Sequence, residues 1–421
     1  MTFESFAEAH TTILWMAFGV ALIMGAVANK TNFCTMGAVS DLVNMGDTGR
    51  LRAWVFAMAI AILGVTILEF YQILTVDGSR PPYRGASFAW LEYILGGILF
   101  GVGMTFGSGC GNKTLVRVGG GNIKSIFVFA IISVCAYFMI NPFPGTDVTI
   151  YSLFFYPWTN PTAIALSTTQ DIGGIIGGSE AHTYRLILGL AVFVLLFIYV
   201  MKSKDFRGSF DNMLGGLVIG LAVIAGWYVS SDMATISVDG ETFTWASYAS
   251  NDTWSMMEEG SAPSGIAAQS YTFINPIGEM TGYLAGNVDG LRSNTLTFGM
   301  MAVFGVIAGS LLWSLISRSF RIEWFVNAKD FFTHLIGGIL MGIGGVLALG
   351  CTIGQAVTGV STLAVGSFLA FASIVFGSAM TMKIQYYKLV YEEEATFMQA
   401  FVTALVDMKL LPGSMRQLEA V

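Results

Sequence analysis

Apolar positions along this chain form long, nearly unbroken runs separated by short polar connections. The runs fall near 12–28, 52–74, 90–107, 123–140, 183–201, 212–230, 294–317, 331–349 and 364–387. Each approaches the length a helix needs to cross a hydrocarbon core of about 30 Å. The pattern predicts an all-α polytopic membrane protein with nine transmembrane helices.

Composition sharpens that expectation. Of 421 residues, 54% are hydrophobic and only 11% charged, and mean hydropathy is +0.68. A soluble chain of this size could not cover so much apolar surface with so few charges. The 50 glycines suit helices whose backbones approach closely inside a bilayer. Net charge is −7 with no basic stripe, which argues against a nucleic-acid partner. The N-terminus, Met1–Glu8, lacks the positive region of a cleavable signal peptide, so the first run reads as a retained helix.

Charge also orients the spans. Lys30/Arg50/Arg52, Lys113/Arg117/Lys124, Lys202/Lys204/Arg207 and Arg318/Arg321/Lys329 fall in alternate connections, and the tail carries Lys383, Lys388, Lys409 and Arg416. No Lys or Arg occurs from Ser125 to Tyr184, Gly208 to Leu291 or Asp330 to Met382. The positive-inside rule then sets the N-terminus outside and the C-terminus inside, in the cytoplasm. The connection 75–89 is an exception, because it is assigned outside yet carries Arg80 and Arg84. Two outer connections are long: Asn141–His182, rich in Pro, Thr and Gly, and the acidic Ser231–Arg292. Both read as external decoration, with a vestibule cap as the functional alternative.

A repeat is the most informative feature. Leu95–Gly101 (LGGILFG) matches Ile336–Gly342 (IGGILMG), with a third copy at Leu214–Gly220 and a fainter one at Leu22–Gly25. Nine residues beyond the last glycine of each lie Cys110, Cys351, Val229 and Cys34. Each unit reads as helix, break, short re-entrant helix, helix, giving about four short helices. The apolar runs before the cysteines are only about 14–16 residues, too short to cross alone at about 1.5 Å per residue. The span at 183–201 separates two units from two others and inverts the second pair. Inverted halves with broken helices meeting near the midplane are a transporter signature. The chain divides into a first half, 1–182, with outer loop 141–182; a connecting helix and loop, 183–207; an inverted second half, 208–391, with insert 231–293; and a cytoplasmic tail, 392–421.

Cys34, Cys110 and Cys351 thus occupy equivalent, glycine-flanked breaks, whereas Cys135 reads as packing. A thiol is a weak donor and a polarisable acceptor, suited to touching a soft, sulfur-bearing solute without holding it. The motifs Asn29–Asp41 (NKTNFCTMGAVSD), Gly107–Lys113 (GSGCGNK) and Leu349–Gln355 (LGCTIGQ) strongly resemble the YeeE/YedE family of sulfur transporters. The resemblance covers about 15–130 and 330–390. It implies inner-membrane uptake of thiosulfate, an hourglass-like fold of nine spans and four short helices, and Cys34, Cys110 and Cys351 along the substrate path. It also implies a cytoplasmic TusA-like sulfur-carrier partner. Some members are linked to selenium metabolism, so another sulfur or selenium compound is an alternative solute.

Asn112 and Lys113, next to Cys110, could offer donors to a sulfonate-like end, and Gln355 lies one turn after Cys351. These three join the cysteines as candidate substrate-binding residues. Glu69, Glu92 and His334 read as interfacial, and Met24, Met104 and Met341 as packing. No catalytic residue, metal site or cofactor is called for. The competing class is a membrane thiol oxidoreductase or sulfurtransferase, but no C-x-x-C motif is present, and no nucleotide-binding loop for ATP-driven pumping.

Overall fold

The computed structural model describes residues 1–238, 240–258, 262–263, 265–286, 296–391 and 395–419. The principal helices are α1 (Phe6–Lys30), α2 (Thr35–Met45), α3 (Gly49–Phe70), α4 (Trp90–Phe106), α5 (Gly111–Gly119), α6 (Ile123–Ile140) and α7 (Ala181–Met201). They continue with α8 (Phe210–Ser230), α9 (Ile274–Ala285), α10 (Phe298–Ile316), α11 (Ala328–Leu347), α12 (Val365–Val390) and α13 (Phe397–Asp407), and a π-helical segment Ile353–Gly359 precedes α12. Among the described residues, nine helices are long and apolar enough to cross a membrane. The protein is an all-α polytopic membrane protein. The acidic residues Asp239, Glu259 and Asp289, and the first residues of the run read from 294, lie outside the described residues.

Polar caps set helix ends where hydropathy alone could not. Ser5 accepts from Glu8 N, Ser209 from Asn212 N, Thr297 from Met300 N and Asn327 from Asp330 N. Each cap satisfies an otherwise orphaned N-terminal amide. Capping corrects one expectation. Helix α1 has 25 residues, about 37 Å at 1.5 Å per residue, so it is not too short to cross; the polar stretches Phe6–Thr12 and Asn29–Lys30 extend its apolar run. Helix α11, with 20 residues, is likewise about long enough. Only α4, with 17 residues, stays short.

Glycines fix how the spans meet. A Cβ on Gly96 would press against Gly344 O and Ala348 N, and one on Gly344 against Gly96 O and Phe100 N. Gly103 and Gly337 face each other in the same reciprocal way, so α4 and α11 cross with their backbones in contact. Gly101 meets α12 at Ile374 O and Ser378 N, while its repeat mate Gly342 meets α6 at Ile132 O and Cys135. Gly305 and Gly309 of α10 abut the backbone of α1, as Gly216 and Gly220 of α8 abut that of α3. Close backbone approach of this kind is how helices gain packing energy where lipid and side chain are equally apolar. Helix α7 lies at the periphery: Gly189 and Val200 are its buried residues, and Ile187, Val194, Leu195 and Ile198 face outward.

The connection 75–89 is more than an exposed loop. It buries Val76, Tyr83 and Arg84. Arg84 pairs with Glu69, Asp77 and Asp171 and donates to Thr362 O, while Arg185 pairs with Asp171 at 2.9 Å. Arg80 pairs with Glu279 at 3.1 Å. Both arginines that broke the charge pattern are therefore matched by carboxylates. Burial favours a neutral Asp171, but Arg185, Arg84 and Thr169 outweigh it and hold the carboxyl at about 2. Burial likewise disfavours a charged Arg84, and Glu69, Asp171 and Asp77 reverse that and raise its pKa.

The insert 231–293 divides in two. Its first part forms strands Thr235–Val238 and Glu241–Thr244, with Thr2–Phe3 pairing parallel to the former, over a small core of Ala9, Ile236 and Tyr248. The second part is no decoration. Ala268, Tyr271, Phe273, Ile274 and Ile277 are buried in the main core, and Tyr271 donates to Ala17 O. Its apolar residues are interrupted by Thr272, Asn275, Pro276 and Glu279, so it shows no membrane-length run.

Candidate functional site

Three of the four cysteines sit where a short helix begins. Cys34 is the N-cap of α2 and Cys110 that of α5, while Cys351 immediately precedes the π-helical turn that Thr352 opens. Each follows a backbone turn made by a residue with positive φ: Asn32, Ser108 and Leu349. Gly37 N donates to Cys34 Sγ at 3.4 Å and Gly354 N to Cys351 Sγ at 3.5 Å; Lys113 N occupies the corresponding place beside Cys110. The fourth short helix, α9, has Phe273 at its N-cap. Val229, reached by the repeat offset, lies instead within α8. The insertion between α8 and α9 displaces the break from that offset.

These N-termini converge. The Cys34 and Cys110 thiols are neighbours, Cys110 lies beside Thr352 and Cys351, and the Phe273 backbone reaches Cys351. A Cβ on Gly111 would stand 3.7 Å from Cys351 Cβ. All four cysteines are free; Cys110 and Cys351 are fully buried and Cys34 nearly so. Cys135 is elsewhere, at the α6–α11 crossing against Gly342.

Around the thiols lies an unusual set of buried polar atoms without a hydrogen-bond partner: Thr35 Oγ1, Tyr83 OH, both amide atoms of Asn112, Thr272 Oγ1, Asn275 Oδ1, Thr352 Oγ1 and Gln355 Oε1. An unmade hydrogen bond on a buried group costs about 1–3 kcal/mol. Most such atoms among the described residues gather at these four helix starts. The arrangement suits a guest that accepts hydrogen bonds from hydroxyls, amides and N–H groups while touching sulfur.

The other candidates separate. Asn112, in the first turn of α5, is fully buried, and neither of its amide atoms has a partner. Lys113 lies within electrostatic reach of Cys34 and Cys110, donates to Asn32 Oδ1 at 2.7 Å, and lines an open pocket of about 270 Å³ with Asn29, Arg117, Arg321 and Glu323. Gln355 is fully buried, and its Nε2 donates to Ala348 O at the end of α11. Glu69 belongs to the Arg84 network, Glu92 accepts from Tyr151 and Thr159, and His334 pairs with Asp330. Met24, Met104 and Met341 are core. Sequence reasoning missed Thr35, Tyr83, Thr272, Asn275 and Thr352. Thr35 and Thr352 each directly follow one of the three converging cysteines, a signal available in the sequence.

Known proteins place the chain. A family model described as sulphur transport matches residues 30–380. The thiosulfate transporter TsuA of Spirochaeta thermophila is 23% identical over 375 residues, covering 87% of this chain and 97% of its own. The thiosulfate transporter TsuA of Escherichia coli is 23% identical over 360 residues, covering 79% and 83%. With convergent cysteine-capped helix starts inside a nine-span membrane protein and a family match over most of its length, this chain belongs to the sulphur transport family.

Proposed function

We propose that this chain takes up thiosulfate across a bacterial inner membrane, and that the anion meets Cys351, Cys110 and Cys34 in turn on its way to the cytoplasm. The observation that carries the reading is the meeting of three free thiols among buried, unpartnered polar groups at helix starts. Thiosulfate has a soft terminal sulfur and three hard oxygens. Thiols can touch the former, and hydroxyls, amides and the N–H groups opening α2, α5 and α9 can offset the lost hydration of the latter. Contacts without a fixed cation let the anion leave.

In this reading Asn112 and Gln355 line the centre, and Lys113 with Arg117 and Arg321 forms a positive mouth on the cytoplasmic side. The N-terminus lies in the periplasm. The halves 1–182 and 208–391 are inverted repeats, a reading supported by the reciprocal contacts of Gly96/Gly344 and Gly103/Gly337. The chain moves solute rather than transforming it, and a TusA-like cytoplasmic carrier consumes what arrives.

Radiolabelled thiosulfate uptake into proteoliposomes tests this. Uptake is expected with the wild-type protein and with Cys135→Ala, and none above protein-free vesicles with Cys110→Ala or Cys351→Ala. No wild-type uptake would refute the reading. The adjacency of Cys34 and Cys110 supports a second reading, a thiol oxidoreductase or sulfurtransferase. A stoichiometric gain of one sulfur on a path cysteine after turnover would favour it.

A further inference from the structure

Tyr83 and Thr272 come from segments far apart in sequence, the connection 75–89 and the stretch before α9. Both side chains nevertheless arrive at the same glycine. A Cβ on Gly354 would run into Thr272 Oγ1 and stand 3.5 Å from Tyr83 OH. Gly354 is also the residue whose N–H donates to Cys351 Sγ. Two hydroxyls thus flank one thiol, with a glycine leaving the space between them open.

Their polar neighbours are each other and the Cys351 thiol, yet neither hydroxyl reaches hydrogen-bond geometry with any protein group, although Tyr83 is 1% and Thr272 5% exposed. Both are firmly placed. The Tyr83 ring packs edge-on against Trp227, whose Nε1 donates to Ser361, and the next residue, Arg84, is fixed by its carboxylates. Thr272 lies between Tyr271, which donates to Ala17 O, and Phe273, which caps α9. Ordered groups left without partners at such depth point to a ligand rather than to packing.

The matching place in the other half looks different. Beside Cys110 stands a second thiol, Cys34, at the N-cap of α2. Beside Cys351 the corresponding N-cap is Phe273, which offers no soft atom, and hydroxyls supply the polar contact instead.

We infer that Tyr83 and Thr272 form a binding subsite for the oxygen-bearing end of a sulfur oxyanion, orienting its terminal sulfur toward Cys351. Each hydroxyl donates to an anion oxygen, a charge-assisted bond stronger than a neutral one. A solute with a hard end and a soft end is held only in one orientation, so the pair acts on specificity. The inference rests on the thiosulfate reading above.

The test is initial-rate uptake of radiolabelled thiosulfate into proteoliposomes holding wild type, Tyr83→Phe, Thr272→Val or Thr272→Ser, with the thermal midpoint of each protein measured in detergent. Tyr83→Phe and Thr272→Val are each expected to raise KM about tenfold with little change in maximal rate, and Thr272→Ser to stay near wild type. Midpoints should be unchanged or slightly higher, since removing an unpartnered buried hydroxyl leaves nothing unsatisfied. Unchanged KM in both variants beside normal wild-type uptake would overturn the subsite. A midpoint falling with the rise in KM would overturn it too, by assigning the hydroxyls to the fold. No uptake by the wild-type protein would instead overturn the thiosulfate reading, and the subsite with it.

Discussion

Cys34 and Phe273 hold the same place in two regions of the molecule, each capping a short helix that starts beside another of the three converging cysteines. The Cys34 region joins two thiols and lies beside a pocket with Lys113, Arg117 and Arg321. The Phe273 region joins one thiol to hydroxyls, and its nearby arginines are committed to carboxylates. One backbone plan thus carries two chemistries. Thiols and positive charge gather in the first region, hydroxyl groups in the second. Under the proposed uptake, a dianion drawn from outside would meet neutral donors first and cations last. That order opposes trapping at the mouth, because a fixed cation on the outer side would deepen the first well.

The largest expected effect falls on the thiols that both regions share. Cys110→Ala and Cys351→Ala should each bring thiosulfate uptake to background. Serine sharpens the comparison, because it keeps a donor but loses polarisability. Under non-covalent passage Cys→Ser at Cys34, Cys110 or Cys351 retains weak uptake, more than Cys→Ala does. Equal loss in both, with sulfur added to a cysteine by mass, would favour covalent capture.

Helix crossings come next. A Cβ at Gly309 would overlap Leu22 O in the backbone of α1, whereas Gly19, in α1 itself, has nothing within 4 Å. Gly309→Ala should cost about 1–3 kcal/mol or more by overpacking and lower the thermal midpoint in detergent. Gly19→Ala should leave it unchanged or raise it slightly, as alanine is the better helix former. Equal midpoints for the two variants would mean that the α1–α10 crossing yields more easily than its geometry suggests.

Much of this was legible in the sequence, and the gaps have physical causes. Long apolar runs located the nine spans to within a few residues, and the repeated glycines marked three cysteine-bearing breaks. Capping was less visible, so α1 and α11 proved longer than their apolar cores. The fourth break was hidden because its cap is Phe273 and an insertion separates it from α8. Tyr83 lies in Val76-Asp77-Gly78-Ser79-Arg80-Pro81-Pro82-Tyr83, a composition that reads as surface loop; only the tertiary fold turns its ring inward. Asn112 and Lys113 are adjacent in sequence, yet consecutive helical positions do not share a face. Asn112 is buried without a partner, and Lys113 lines the open pocket with Arg117 and Arg321.

The outer ion network gives a pH test. Asp171 has its pKa lowered from 3.8 to about 2. A depressed folded-state value means that ionised Asp171 stabilises the fold above the unfolded value, near 3.8, and that this contribution is lost as pH falls toward 2. Thermal midpoints should therefore fall more steeply between pH 4 and 2 in wild type than in Asp171→Asn, which has no proton to gain there. Parallel slopes would show that the Arg84–Asp171–Arg185 cluster does not set acid stability.

Cys135→Ala should have the smallest effect, and it probes the comparison from outside. Cys135 is a free, partly exposed thiol on α6, and its Cβ would lie 2.7 Å from a Cβ on Gly342. Gly342 matches Gly101 in the repeat, so this is a packing contact between spans and not a helix start. Alanine keeps the Cβ that meets α11 and removes only the sulfur. A large cavity penalty requires a fully enclosed side chain, and this one is not enclosed. The cost should be under about 1 kcal/mol, with uptake KM and maximal rate unchanged. If Cys135→Ala proved as damaging as Cys110→Ala, position at a helix start would not be what distinguishes a path cysteine, and the contrast between Cys34 and Phe273 would lose its meaning.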